Sequence, residues 1–73
     1  MKLKKEELVN KVGLKIREIR KMKGLSIEKL ANEAEIESKQ LRRIELGQIN
    51  TSLYQIYNLT HTLDVPMQDV FIL

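Results

Sequence analysis

Apolar residues recur along this chain at helical intervals. Leu8, Val12, Ile16 and Ile19 fall at steps of four and three with lysine and glutamate between them, the period of one buried helix face. The spacing predicts a long first helix from about Lys4 or Glu6 to Met22 or Lys23, closed at Gly24, where a residue without a Cβ takes positive φ freely. Ser26 is placed to cap a second, two-turn helix with Leu30, Ala31 and Ala34 on its inner face. Ile36 anchors the connection, Glu37 or Ser38 opens a third helix with Leu41 and Ile44 inward, and Gly47 ends it. After the polar loop Gln48 to Thr51, Ser52 caps a fourth helix with Leu53, Ile56, Leu59 and Leu63 inward, ended by Asp64 and Pro66. Pro66 then suits the start of a short fifth helix carrying Met67, Val70 and Phe71, because its missing N–H is one that a helix start leaves unpaired anyway. Neither alternation nor an Asn-Gly or Asp-Gly turn signals a strand, so the expectation is all-α, a compact five-helix bundle.

Composition narrows the chemistry. With 73 residues, 42% hydrophobic and 32% charged, the chain has the make-up of one small folded domain. The absence of cysteine excludes a disulfide framework, a thiolate zinc site and a cysteine nucleophile. A single histidine, His61, sits between Asn58 and Asp64 at helical spacing and reads as a surface or hydrogen-bonded helical residue rather than a general base. No catalysis, metal or cofactor is therefore expected. The longest apolar run, Val70 to Leu73, is far too short to span a membrane, and the lysine-rich start has no apolar stretch that would make a signal peptide, which points to the cytoplasm. Because the predicted helices take up these 73 residues, no small-molecule effector is expected.

The net charge of +3 is unevenly spread. Residues 1–24 carry nine Lys/Arg against three Glu, and 25–37 carry only Lys29 against Glu28, Glu33, Glu35 and Glu37. Lys39, Arg42 and Arg43 face a single Glu45 in 38–50. A polyanion partner is thus admitted on selected faces.

The most informative stretch is Ile27 to Leu46, two short helices and a tight turn, where the small Ala31 lets the second helix cross the third closely. With the blocks "IREIR" and "RRIELG", the Leu30/Ala31 pair and the five-helix spacing, the chain from Val12 to Phe71 resembles the lambda-repressor/Cro-like, or Xre-type, helix-turn-helix family. The resemblance implies a sequence-specific regulator of transcription, a repressor, that binds double-stranded DNA with the helix at about 38–46 in the major groove and the second helix across the backbone. Stepping ~100° per residue from an inward Leu41 puts Lys39, Arg43 and Leu46 on the far face, Gln40 and Arg42 on its flanks and Ser38 at its exposed start. Ser38, Lys39, Gln40, Arg42 and Arg43 are the candidate base readers: Arg43 offers a fork to guanine, Gln40 pairs both ways with adenine, and Lys39 meets guanine or a phosphate. Ser26, Asn50, Thr51 and Ser52, at helix starts and in a polar loop, are the candidate phosphate contacts. Arg20 and Glu45 match the family's structural arginine–glutamate pair.

Five positions depart from the family pattern. Ile27, Glu35, Glu37, Leu46 and Thr51 stand where Gln, Gly, Ser, a basic or polar residue and Pro are common. Glu35 occupies a turn position that favours positive φ, and the carboxylates around it lie close to where a phosphate backbone would run. These features leave open an alternative, an antitoxin-like or partner-binding module that keeps the fold. The chain is expected to divide into a basic N-terminal extension of the first helix, 1–11, and the helix-turn-helix domain, 12–73. Because one recognition helix reads few base pairs, a homodimer on a palindromic operator is expected. Val70, Phe71, Ile72 and Leu73 form its candidate interface, with the N-terminal Leu3 and Leu8 as a competing surface.

Overall fold

The computed structural model describes residues 2–73. Four α-helices, α1 (Lys5–Met22), α2 (Ile27–Ala34), α3 (Ser38–Glu45) and α4 (Leu53–Thr62), are followed by a 3-10 turn, Met67–Phe71. There is no strand among the described residues. The expected fifth helix is thus corrected to a 3-10 turn. Five residues are too few to offset the nucleation cost of an α-helix, whereas i→i+3 pairing closes a tight turn at once. Asp69 N–H donates to the Pro66 carbonyl at 3.0 Å, and the turn drives Val70 fully into the core.

One apolar core joins all five elements: Val12 and Ile16 from α1, Leu30, Ala31 and Ala34 from α2, Leu41 and Ile44 from α3, Ile56, Leu59 and Leu63 from α4 and its end, and Val70. Ile19, Leu25, Ile36 and Met67 pack around it. Burial on α1 begins at Val12, so the first two turns of that helix stand beyond the core with Leu8 on its rim. Leu53 departs from the inward stripe expected of α4. As the first helical residue, next to the capping Ser52, it lies past the end of the core and is 71% exposed.

All four α-helices end alike, on a residue in the left-handed region: Gly24 (φ 72), Glu35 (φ 58), Gly47 (φ 71) and Asp64 (φ 60). At each end the following N–H reaches back to the carbonyl five residues before it, as Ile36 does to Ala31 at 2.9 Å and Val65 to Thr60 at 3.0 Å. These bonds satisfy carbonyls that a helix end otherwise orphans.

α1 and α3 meet backbone to backbone at Gly13. A Cβ built there would collide with the Ile44 carbonyl oxygen and press on the Glu45 carbonyl at 3.0 Å. Glycine in an open helix interior costs about 1 kcal/mol relative to alanine, so Gly13→Ala would ordinarily stabilise. Here the opposite sign is expected, a loss of about 1–3 kcal/mol from forced separation of α1 and α3. Chemical denaturation of the variant checks this, and a midpoint at or above that of the parent chain would show that the crossing has slack.

Candidate nucleic-acid interface

α3 is held from below by Arg20. Its Nε donates to Glu45 Oε2 at 2.7 Å, its Nη2 to Glu45 Oε1 at 3.0 Å, and its Nη1 to the Leu25 carbonyl at 2.7 Å. Arg20 is only 7% exposed and Glu45 6%. One planar guanidinium therefore ties α1 to the end of α3 and to the turn before α2, using the fork geometry that a lysine lacks. Among the described residues no buried side-chain polar atom is left without a partner, so this charge is buried fully bonded.

With Leu41, Ile44 and Glu45 turned inward, the outer face of α3 is settled by helical geometry. Lys39, Arg42, Arg43 and Leu46 are exposed, while Ser38 and Gln40 are half-buried at the flank. Among the described residues neither Lys39 nor Arg43 has an ion-pair partner. Arg42 differs from both. Its Nη2 lies 3.7 Å from Glu28 Oε2 on α2, so its head group turns sideways along the α2–α3 seam.

The turn between α2 and α3 is braced by α4. Asn58 Nδ2 donates to the Ala34 carbonyl at 2.9 Å and to Gln55 Oε1 at 2.8 Å. That bond pins the last turn of α2, next to the left-handed Glu35, and thereby fixes where α3 begins. Nothing in the sequence marks Asn58, because its partner lies 24 residues away. Gly13 did carry a signal: a glycine inside an apolar helical pattern is costly unless another backbone needs the space.

Three of the four candidate phosphate residues flank α3 on the loop into α4, and Ser26 opens α2. Ser26 Oγ accepts from the Lys29 N–H and Ser52 Oγ from the Gln55 N–H, both at 3.0 Å. Capping uses an oxygen lone pair and leaves the hydroxyl hydrogen free to donate to a phosphate. Ser26, Asn50 and Ser52 are exposed and Thr51 is half-buried.

The C-terminal apolar residues divide. Val70 is fully buried in the domain's own core and offers nothing to a second copy, which corrects its place in the expected interface. Phe71, Ile72 and Leu73 are exposed. Phe71 lines an apolar cleft of about 210 Å³ together with Leu8, Ile49, Leu53 and Ile56. Leu73 sits beside Leu14 on α1. The two surfaces that compete in the sequence are thus neighbours in space. No group of three or more His, Cys, Asp or Glu residues that could hold a metal ion occurs among the described residues, and no helix there is long and apolar enough to cross a membrane.

A basic recognition helix packed against a partner of equal length and clamped to α1 defines a DNA-binding helix-turn-helix domain of the Xre type. The chain belongs to that family, its residues 13–72 matching the one described as "Helix-turn-helix domain". Among solved structures it is similar to the restriction-modification controller protein C.AhdI from Aeromonas hydrophila, at 38% identity over 89% of this chain and 97% of that one, with a TM-score of 0.83. It is also similar to the clp gene regulator ClgR from Corynebacterium glutamicum, at 26% identity over 89% and 84% of the two chains, TM-score 0.86. An HTH_3 family transcriptional regulator from Vibrio cholerae shares the fold at 18% identity, covering 93% of this chain and 38% of that one, TM-score 0.88. No curated protein matches. The protein is a DNA-binding transcriptional regulator, and the comparisons do not favour the partner-binding alternative.

Removing either side of the Arg20–Glu45 pair strands a buried charge. Arg20→Ala or Glu45→Ala is expected to cost about 3–5 kcal/mol, a large share of the stability of so small a domain. Circular dichroism during chemical denaturation reads this directly, and a loss below about 1 kcal/mol would mean that the pair is dispensable.

Proposed function

We propose that this regulator represses transcription by occupying a palindromic operator as a homodimer in the cytoplasm, without catalysis of its own. The observation that carries the reading is the outer face of α3, where Lys39 and Arg43 stand exposed and, among the described residues, without acidic partners on a helix held by Arg20 and Gly13. In this reading Arg43 forks onto guanine O6 and N7, Lys39 meets guanine or a phosphate, and Ser38 and Gln40 read adjacent bases from the flank. Arg42 lies beside this set rather than in it. Ser26, Asn50, Thr51 and Ser52 fix the register through phosphate oxygens. Similarity to a restriction-modification controller and to a clp gene regulator supports the regulatory role.

The dimer places two α3 helices about 34 Å apart, one turn of the duplex. Exposed Phe71, Ile72 and Leu73, with Leu8 beside Phe71 and Leu14 beside Leu73, supply the apolar side chains for a two-fold contact. Tyr57 and His61, stacked at 5.7 Å on the exposed side of α4, are candidates for its edge.

Selection from random duplexes is expected to enrich an inverted repeat, and no enrichment would remove the operator reading. Arg43→Ala should then cost about 1–3 kcal/mol on the selected site and much less on random DNA. Equal losses on both, measured by fluorescence titration, would strike Arg43 from the base readers. For the dimer, sedimentation at micromolar concentration compares the intact chain with one lacking Ile72 and Leu73. The intact chain is expected to dimerise and the shortened one to be monomeric, whereas a shortened chain that still dimerises moves the interface elsewhere.

A further inference from the structure

Three exposed cations on one short helix would be expected to act alike, yet one of them is tied. Arg42, in the last turn of α3, has its guanidinium 3.7 Å from the carboxylate of Glu28 in the first turn of α2. Their side chains are 55% and 71% exposed, so solvent screens the pair and it is not a strut of the fold. The other acid within α2, Glu33, lies 3.5 Å from Lys29, and Glu28 is the one whose carboxylate reaches Arg42.

We infer that Glu28 is a positioning residue for Arg42, holding its guanidinium along the α2–α3 seam and withholding it from the phosphates of DNA that α3 encounters. This rests on the reading of α3 as the DNA-facing helix. A phosphate approaching Ser26 and the start of α2 comes close to Glu28 as well. To gain Arg42 it must displace that carboxylate and leave a like charge beside itself; otherwise it binds without Arg42. Either way non-specific association, which is almost wholly electrostatic, proceeds with one net positive charge fewer than the sequence of α3 suggests. Glu28 then sets how strongly the regulator is held by DNA it does not read. It acts through one arginine rather than by general repulsion, and that distinction is measurable.

The test is a double-mutant cycle on a random duplex, with affinity followed from low to physiological salt by fluorescence titration of the full chain. Freed by Glu28→Gln, Arg42 adds one phosphate contact: the slope of log affinity against log salt steepens by about 0.9, and binding at 0.1 M salt tightens roughly five- to tenfold. Arg42→Ala alone leaves slope and affinity near those of the parent, and Glu28→Gln with Arg42→Ala returns to the parent as well. A gain that persists in the double variant would make Glu28 a simple repulsive charge and overturn the inference. So would a slope already flattened by Arg42→Ala alone, since Arg42 would then be on the backbone from the start. Thermal unfolding of the three variants should track the parent, and a large common loss of stability would make the pair structural instead. Lys39→Ala with Arg43→Ala serves as the control on the underlying reading. If the parent does not bind duplex, or if that control binds as well as the parent, α3 is not the DNA face and the inference falls with it; if both controls behave, only the cycle at 28 and 42 is in question.

Discussion

The position of Arg20 governs the rest of this small domain. Its guanidinium has three uses at once: two bonds to Glu45 at the end of α3 and one to the Leu25 carbonyl in the turn before α2. A buried ion pair adds little net stability over an apolar pair of the same shape, because desolvation cancels most of the attraction. What it adds is an angle. α3 cannot roll about its axis without pulling Glu45 off the fork, so the face carrying Lys39 and Arg43 is fixed relative to α1. Gly13 fixes the remaining freedom, distance, by letting the α1 and α3 backbones touch at Ile44 and Glu45.

The ends of the helices matter as much as their interiors in a chain this short. Each α-helix turns out of its axis through a left-handed residue, and two of those four residues, Glu35 and Asp64, carry a Cβ. The conformation costs such a residue about 1–2 kcal/mol, offset by the two backbone bonds that the turn closes and by the apolar residue that follows. At the α2–α3 turn that residue is Ile36, packed on the core, and Asn58 of α4 holds the preceding carbonyl of Ala34. The tight turn of the helix-turn-helix unit is therefore held by packing and by a distant amide where glycine is more usual.

Charge is arranged by the same economy. α3 presents three cations outward, and α2 opposes them with acids of which Glu28 reaches one. The overall balance of +3 says little about this, because the pairing of individual groups across the seam, not their sum, decides which cations meet a polyanion.

Much of the fold was legible in the sequence. The 3.6-residue stripes of α1 to α4, the caps Ser26 and Ser52, and the stops at Gly24 and Gly47 are local, so propensity and periodicity determine them wherever the chain goes. The outward set Lys39, Arg42 and Arg43 follows from the same local rules, and the family showed through the resemblance carried by the IREIR and RRIELG blocks. Other features wait on the tertiary structure, because they join residues far apart in the chain. Packing decided that Val70 is core and Phe71 surface, that Leu53 misses the core, and that Leu8 and Phe71 share one cleft. It also decided that Gly13 is a crossing point, that Asn58 braces Ala34, and that Arg42 leans on Glu28. Helical periodicity assigns each residue a face; which neighbour meets that face depends on the distance and angle between helices, and those exist only once the core has closed.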